Sequence, residues 1–240
     1  MRIAVLTITY REQEFIESVI KNWEGKVYTH LILESSKPWH GQELPEDKTK
    51  EICKKYPHVQ FVSLAWPSET AQRNWGLGYL YDYDYVLIVD SDELYTEEDQ
   101  TKILSSIGNE EKFQDNTWCY RTPKVVTYFK TPEYVLDPPD THEPVIAVNP
   151  KKVTFIDARI VDTQYIIPID VSMHHLTYLR NDLRLYHKLQ QFEHFDQVKK
   201  DWFMEKWRKW TPEMEDVRAY GGEKSKAIKR PLPDELKNLL

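Results

Sequence analysis

The chain has 240 residues, 40% hydrophobic and 30% charged, with a formal net charge of -7. That balance excludes a nucleic-acid binder, whose affinity would come from clustered Lys and Arg, and it requires any anionic ligand to be met by locally placed cations. Cys53 and Cys119 lie far apart without a CxxC partner, which excludes a disulfide framework or a zinc site and fits a reducing, cytoplasmic setting.

In chain order, Arg2 to Ile8 reads as a buried strand, followed by the polar turn Thr9-Tyr10-Arg11-Glu12. Phe15, Val19, Ile20 and Trp23 share one face at helical spacing and predict a helix over 14–23. A second strand over 28–33 ends at Glu34, where a β-α-β nucleotide fold holds a base or ribose. A helix over 47–55, a strand over 59–64 and a helix capped by Ser68 follow, the rhythm of a parallel sheet. The apolar run at Met1 to Leu6 is too short for a signal peptide and no run spans a membrane, so a soluble protein is expected.

The chain is organised around Tyr85-Val86-Leu87-Ile88-Val89, which reads as a strand buried on both faces and ends in Asp90-Ser91-Asp92-Glu93. Acids at the carboxyl end of such a strand lie where open α/β sheets bind ligands. Hard oxygen donors suit Mg²⁺ or Mn²⁺, with substrate phosphates completing the shell, so a metal–diphosphate site over Asp90 and Asp92 is expected. A solvated acidic turn capping the next helix is the alternative.

Beyond Glu93, a helix over 97–107 and short strands over 117–121, 125–130 and 144–148 suggest a mixed sheet. The loop Asp137-Pro138-Pro139-Asp140-Thr141-His142-Glu143 is the densest ionisable group outside the central motif. A carboxylate or His can serve as a general base; Glu143 leads, with Asp140 and His142 behind it and Asp157 and Asp162 further candidates. A helix begins at Asn181, with Arg180, Arg184 and Lys188 offering charge to a diphosphate. Trp202, Phe203, Trp207 and Trp210 among lysines and arginines predict a helix over 199–210 that either packs back onto the domain or makes peripheral membrane contact. The tail from Gly221 reads as an extended arm.

Four blocks carry a resemblance: Val5-Leu6-Thr7-Ile8-Thr9-Tyr10-Arg11-Glu12, Ile32-Leu33-Glu34-Ser35-Ser36, Gln72-Arg73-Asn74-Trp75-Gly76 and Val89-Asp90-Ser91-Asp92-Glu93. In this order they resemble the nucleotide-sugar domain of GT-A fold glycosyltransferases, particularly family 2. The resemblance implies an α/β fold with a mostly parallel, Rossmann-like central sheet flanked by helices and a mixed acceptor-side sheet. Residues 1–180 would form the catalytic domain, divided into a nucleotide-sugar half at 1–95 and an acceptor half at 96–180, with a helical extension and tail over 181–240. It further implies a metal-dependent transferase that moves a sugar from a nucleotide-diphosphate donor to a glycan or other hydroxyl acceptor, with inversion. Asp90 would contact ribose or metal, and Asp92 would ligate Mn²⁺ or Mg²⁺. Thr9, Tyr10 and Glu12 would lie along the nucleotide, with Arg73 and Asn74 beside the donor. Glu34 stands where the family often has Asp, which leaves the donor open. Arg73 could instead pair with Glu69 on its own helix. A late His followed by Tyr at the third position implies His175, before Tyr178, as a metal ligand, and extended geometry would turn His174 to the opposite face. Two other readings stay open: an aspartate-based phosphohydrolase, in which the residue four after the first Asp is usually Thr or Val rather than Leu94, and a non-catalytic glycan- or nucleotide-binding module.

Overall fold

The computed structural model describes residues 1–107, 118–192, 195–221 and 224–240. Strand β1 (Ile3–Thr9) leads through helix α1 (Ile16–Trp23) to β2 (Thr29–Ser35), then through α2 (Thr49–Cys53) to β3 (Val59–Leu64). Helix α3 (Glu69–Tyr79) starts where the Ser68 side chain accepts from the Ala71 amide, and it delivers the chain to β4 (Tyr85–Ile88). These four strands pair in parallel in the order β3-β2-β1-β4. Because β1 and β4 are buried on both faces, their side chains alternate between two cores. Ile3, Val5, Tyr85 and Leu87 pack with Phe15, Val19 and Trp23 of the α1 side, whereas Ala4, Leu6, Val86 and Ile88 pack with Leu77 on α3. Gly76 lets α3 lie this close, since a Cβ there would stand 2.6 Å from Leu6 Cδ1.

At the end of β4 the chain leaves this sheet. A turn over Asp90–Asp92 feeds β5 (Glu93–Leu94), which belongs to a second sheet, and α4 (Glu97–Ile107) follows. Next come β6 (Cys119–Arg121), β7 (Lys124–Phe129), β8 (Thr131–Asp137), β9 (Val145–Val148), the hairpin β10 (Phe155–Asp157) and β11 (Ile160–Val161), β12 (Ile166–Pro168) and β13 (Ser172–Tyr178). The first sheet extends as β12-β6-β9-β4-β1-β2-β3, with β9 alone running against the rest. The mostly parallel sheet expected from sequence is present. Thr117, the expected first residue of β6, lies outside the described residues. Phe155 to Val161 forms a hairpin, and β8 was not foreseen.

The carboxyl-terminal segment is helical only in part. Helix α5 (Asp182–Gln191) is capped by the Asn181 side chain. The continuous aromatic helix expected over 199–210 is instead a five-residue π-helical turn, Phe203–Trp207. Trp202 and Trp207 are buried in a cluster with Phe129, Tyr178, Leu185 and Leu189, so the larger rings of this stretch face inward. The tail is no free arm: β14 (Lys226–Lys229) pairs with β8 and makes the second sheet β14-β8-β7-β13-β5. Helix α6 (Asp234–Lys237) then sets Leu232 and Leu236, each 1% exposed, into the core that holds Val5 and Trp23. Among the described residues no helix is long and apolar enough to cross a membrane.

Because Leu236 is buried at a site lined by other elements, Leu236→Ala should lower the unfolding free energy by about 2–4 kcal/mol in urea denaturation. A free tail would give no change.

Candidate active site

The carboxyl ends of β1, β2 and β4 open on one cleft, closed from the other side by β13, α5 and the loop before β14. This is the crevice that a parallel sheet leaves outside its strand ends. Thr9, Tyr10 and Glu12 line it from β1, Arg73 from α3, Asp90 and Asp92 from the end of β4, His175 from β13, and Arg184 and Lys188 from α5.

Asp90 and Asp92 turn to different partners. Arg73 is fully buried and donates from Nη2 to Asp90 at 2.8 and 3.1 Å, while its Nε and Nη2 bind Glu69 at 3.1 and 2.6 Å. Both readings of Arg73 therefore hold together: it pairs along its helix and it lines the cleft. Arg159, from the β10–β11 turn, stands 3.6 Å from Asp90, binds Glu93 and donates to the Ile88 carbonyl at 2.6 Å. Burial alone would raise the Asp90 carboxyl, but Arg73 and Arg159 hold it below its ordinary value. Burial outweighs Arg159 at Glu93 and pushes that carboxyl up to about 7.

Asp92, 3% exposed, faces the α5 side. Its Oδ2 accepts from Lys188 Nζ at 2.6 Å and Arg180 Nη1 at 3.1 Å, with His175 Nε2 3.7 Å away. Against the cost of burial, Lys188 and Arg180 hold this carboxyl well below the usual range. Arg180 also binds both carboxylate oxygens of Glu12, which takes a further bond from Ser91 Oγ at 3.3 Å. Glu12 is thus a buried anchor whose oxygens are already committed.

The two histidines divide as extended geometry requires. His174 points away from the cleft, its Nδ1 2.9 Å from the Tyr128 hydroxyl, and burial, then the Arg230 charge, lower its imidazole to about 4. His175 lines the cleft, and burial keeps it below its ordinary value despite Asp92, so its ring is neutral.

Glu34, Asn74, Glu143, Asp140 and the exposed His142 lie outside the cleft lining. Glu34 is buried behind it, bound by Arg11 and by Ser63, each at 3.1 Å. Asn74 clamps the β10 backbone, its side chain bonding both the amide and the carbonyl of Phe155 at 2.8 Å. Glu143, the leading base candidate, is half-exposed and paired with Arg121 at 3.0 Å. Asp140 accepts from Arg218 at 2.6 Å and Thr127 at 2.8 Å, which occupies both its oxygens. His142, on the same loop, is close enough to Arg159, Asp140, Asp90 and His175 to feel their charges; desolvation and Arg159 keep it below its ordinary value. Arg159, Trp39 and Tyr220 are contributors that sequence reasoning missed. Arg159 lies in a short turn flanked by apolar residues, a setting without a motif, and Tyr220 enters through a long-range return of the chain.

Among the described residues no group of three or more His, Cys, Asp or Glu side chains is arranged to hold a metal. Of the ligands expected from sequence, Asp92 and His175 come together, while Asp90 is turned to Arg73 and Arg159. Two donors on one octahedral ion at about 2.1 Å lie about 3 Å apart when adjacent, so Asp92 Oδ2 and His175 Nε2, 3.7 Å apart, would have to close by several tenths of an ångström to share one ion. Two protein donors fit a cation that takes its other ligands from water and phosphate. Thr9 Oγ1, Arg73 Nη1 and Arg184 Nη1, on residues that line the cleft, are buried without a hydrogen-bond partner among the described residues.

No family model matches the chain, and no curated protein does. Solved structures do. Glucosyl-3-phosphoglycerate synthase from Mycobacterium tuberculosis, in complex with Mn²⁺, uridine diphosphate and phosphoglyceric acid, is 18% identical over 52% of this chain and 43% of its own, at a TM-score of 0.38. TarS 1-349 from S. aureus in complex with UDP is 16% identical over 53% of this chain and 36% of its own, at 0.41. The same protein with UDP-GlcNAc gives 19% over 53% and 35%, at 0.39. The chain spans less than half the length of these proteins.

Two outcomes follow from the buried charges. Arg180→Met leaves Glu12 buried without its partner and should cost about 3–5 kcal/mol in urea denaturation at neutral pH. His174 titrates at about 4 when folded, against about 6.5 for an unfolded histidine. Between those values the unfolded chain binds more protons, so its contribution is complete above pH 6.5 and is lost as pH falls toward 4. The stability lost between pH 7 and pH 5 should accordingly be about 1–2 kcal/mol smaller in His174→Asn than in the parent.

Proposed function

We propose that the chain is a glycosyltransferase that moves a sugar from a nucleotide-diphosphate donor to an acceptor hydroxyl with inversion. The observation that carries this reading is the meeting of Asp90 and Asp92 with Arg73, Arg184, Lys188 and His175 in one cleft at the carboxyl ends of parallel strands. The four sequence blocks resembling GT-A enzymes support it: Thr9, Tyr10, Arg73, Asp90 and Asp92 all line that cleft.

In this reading, Asp92 and His175 would hold a divalent cation, Mn²⁺ or Mg²⁺, which would supply charge neutralisation at the leaving diphosphate. Arg73 and Arg184 supply guanidinium donors to phosphate oxygens, a role suited to their planar, fixed N–H geometry. Arg180 fixes the direction of Asp92, and Arg159 and Arg73 fix Asp90, so the charged frame is set before substrate arrives. Tyr10, Trp39 and Tyr220 supply flat faces for a base or sugar ring. The proton of the attacking hydroxyl falls to His142 rather than Glu143 or Asp140, because the two carboxylates are held by Arg121 and Arg218. A neutral imidazole near Asp90 and His175 can take that proton.

An aspartate-based phosphohydrolase would need Asp90 free to attack phosphorus, whereas two buried arginines hold it. Incubation with a panel of sugar nucleotides, Mn²⁺ and simple glycosides tests the transferase reading through release of nucleoside diphosphate. Release from at least one donor, lowered a hundredfold or more in Asp92→Ala, is the expected result; no release from any donor would refute it. His142→Gln should lower turnover by roughly a hundredfold while leaving diphosphate affinity unchanged, and Glu143→Gln should leave both near the parent values.

A further inference from the structure

The expected metal ligand Asp92 already carries a cation. Lys188 Nζ lies 2.6 Å from Asp92 Oδ2, and that same oxygen is the one 3.7 Å from His175 Nε2. The ammonium group therefore takes up a bonding position on the carboxylate oxygen nearest the second donor. Arg180, which also touches this oxygen, is fully buried and tied to Glu12 and the Thr177 carbonyl. Lys188 is different. Its side chain is 25% exposed, it reaches Glu12 only at 4.0 Å, and Asp92 is its one close partner among the described residues. It hangs from α5 on a flexible four-carbon stem, whose ammonium can swing without disturbing the backbone.

From this geometry, and resting on the transferase reading above, we infer that Lys188 is an exchangeable internal counter-ion. It sits on Asp92 while the cleft is empty of nucleotide and moves to the diphosphate when a divalent cation takes its place. A divalent cation alone gains little here, since it must displace a tethered positive charge whose other nearby anion, Glu12, is already bound by Arg180. A diphosphate arriving with the cation provides that anion. The cleft would thus load metal and nucleotide together, and metal without nucleotide would bind poorly. Arg180 remains in place through the exchange and keeps Asp92 aimed.

The test is Mn²⁺ binding to the full chain without nucleotide, followed by the paramagnetic signal of the free ion. Lys188→Met should bind Mn²⁺ at least tenfold more tightly than the parent, while Lys188→Arg, which keeps the charge, should remain near it. Lys37→Met removes a positive charge from the same cleft without touching Asp92, and it should change the affinity less than threefold. If Lys188→Met fails to fold, Lys188→Gln takes its place in the comparison. Unchanged Mn²⁺ affinity in the neutral Lys188 variants, or an equal gain in Lys37→Met, would overturn the inference. A second arm adds UDP, GDP, CDP or ADP in turn at saturating Mn²⁺. Neutral Lys188 variants should bind the preferred diphosphate at least threefold more weakly, and undiminished binding would overturn the exchange. Absence of binding by all four to the parent would instead refute the transferase reading, and the Mn²⁺-only arm would still decide whether Lys188 blocks Asp92.

Discussion

Arg180 is the side chain on which the rest of the cleft depends. It is wholly buried, and it joins the turn after β1, through Glu12, to the end of β4, through Asp92. A guanidinium and two carboxylates taken out of water carry a large desolvation penalty, offset only when geometry and additional hydrogen bonds are good. Here the Thr177 carbonyl and Ser91 hydroxyl supply such bonds, and the Arg180 guanidinium also lies 4.9 Å from the centre of the Phe15 ring. The energy spent on this cluster gains position rather than stability: three distant segments are locked into one arrangement, and that arrangement sets where the acids point.

The second constraint is the change of sheet at the end of β4. Ile88 closes the parallel strand and Glu93 opens β5 in the other sheet, so the acids occupy the four residues in which the backbone crosses between layers. Asp90 stays on the first side with Arg73 and Arg159. Asp92 has passed to the second, where its backbone carbonyl accepts from Leu176 and its side chain faces α5. Two acids separated by one residue thus have separate sets of cations, and replacing one set need not disturb the other.

The parallel half was legible in the sequence because strands buried on both faces are written as unbroken apolar runs. Ile3–Thr9 and Tyr85–Ile88 are such runs, and the half-buried strand Val59–Leu64 and the helix Glu97–Ile107 also have the bounds expected. The acceptor side was less legible, since β8 carries Pro132, Glu133 and Tyr134 on a half-buried strand whose pairing with β14 is set some ninety residues away. The cleft acids were legible from their place at a strand end. For Glu143 a dense run of ionisable residues said nothing about direction, and only the fold reveals that it pairs with Arg121. Asn74 shows the same limit: its neighbour on the helix faces the cleft, while it turns a hundred degrees away to hold β10.

The last residues of the chain are set into its first core. Leu232 and Leu236 pack with Val5, Val19 and Trp23, and the Ser18 hydroxyl donates to the carbonyl of Leu239. During synthesis, therefore, α1 and β1 emerge long before the side chains that cover them. The nascent chain must carry part of that apolar surface uncovered until residue 236 has left the ribosome, a period in which its amino-terminal half depends on chaperones or on speed to stay out of aggregates.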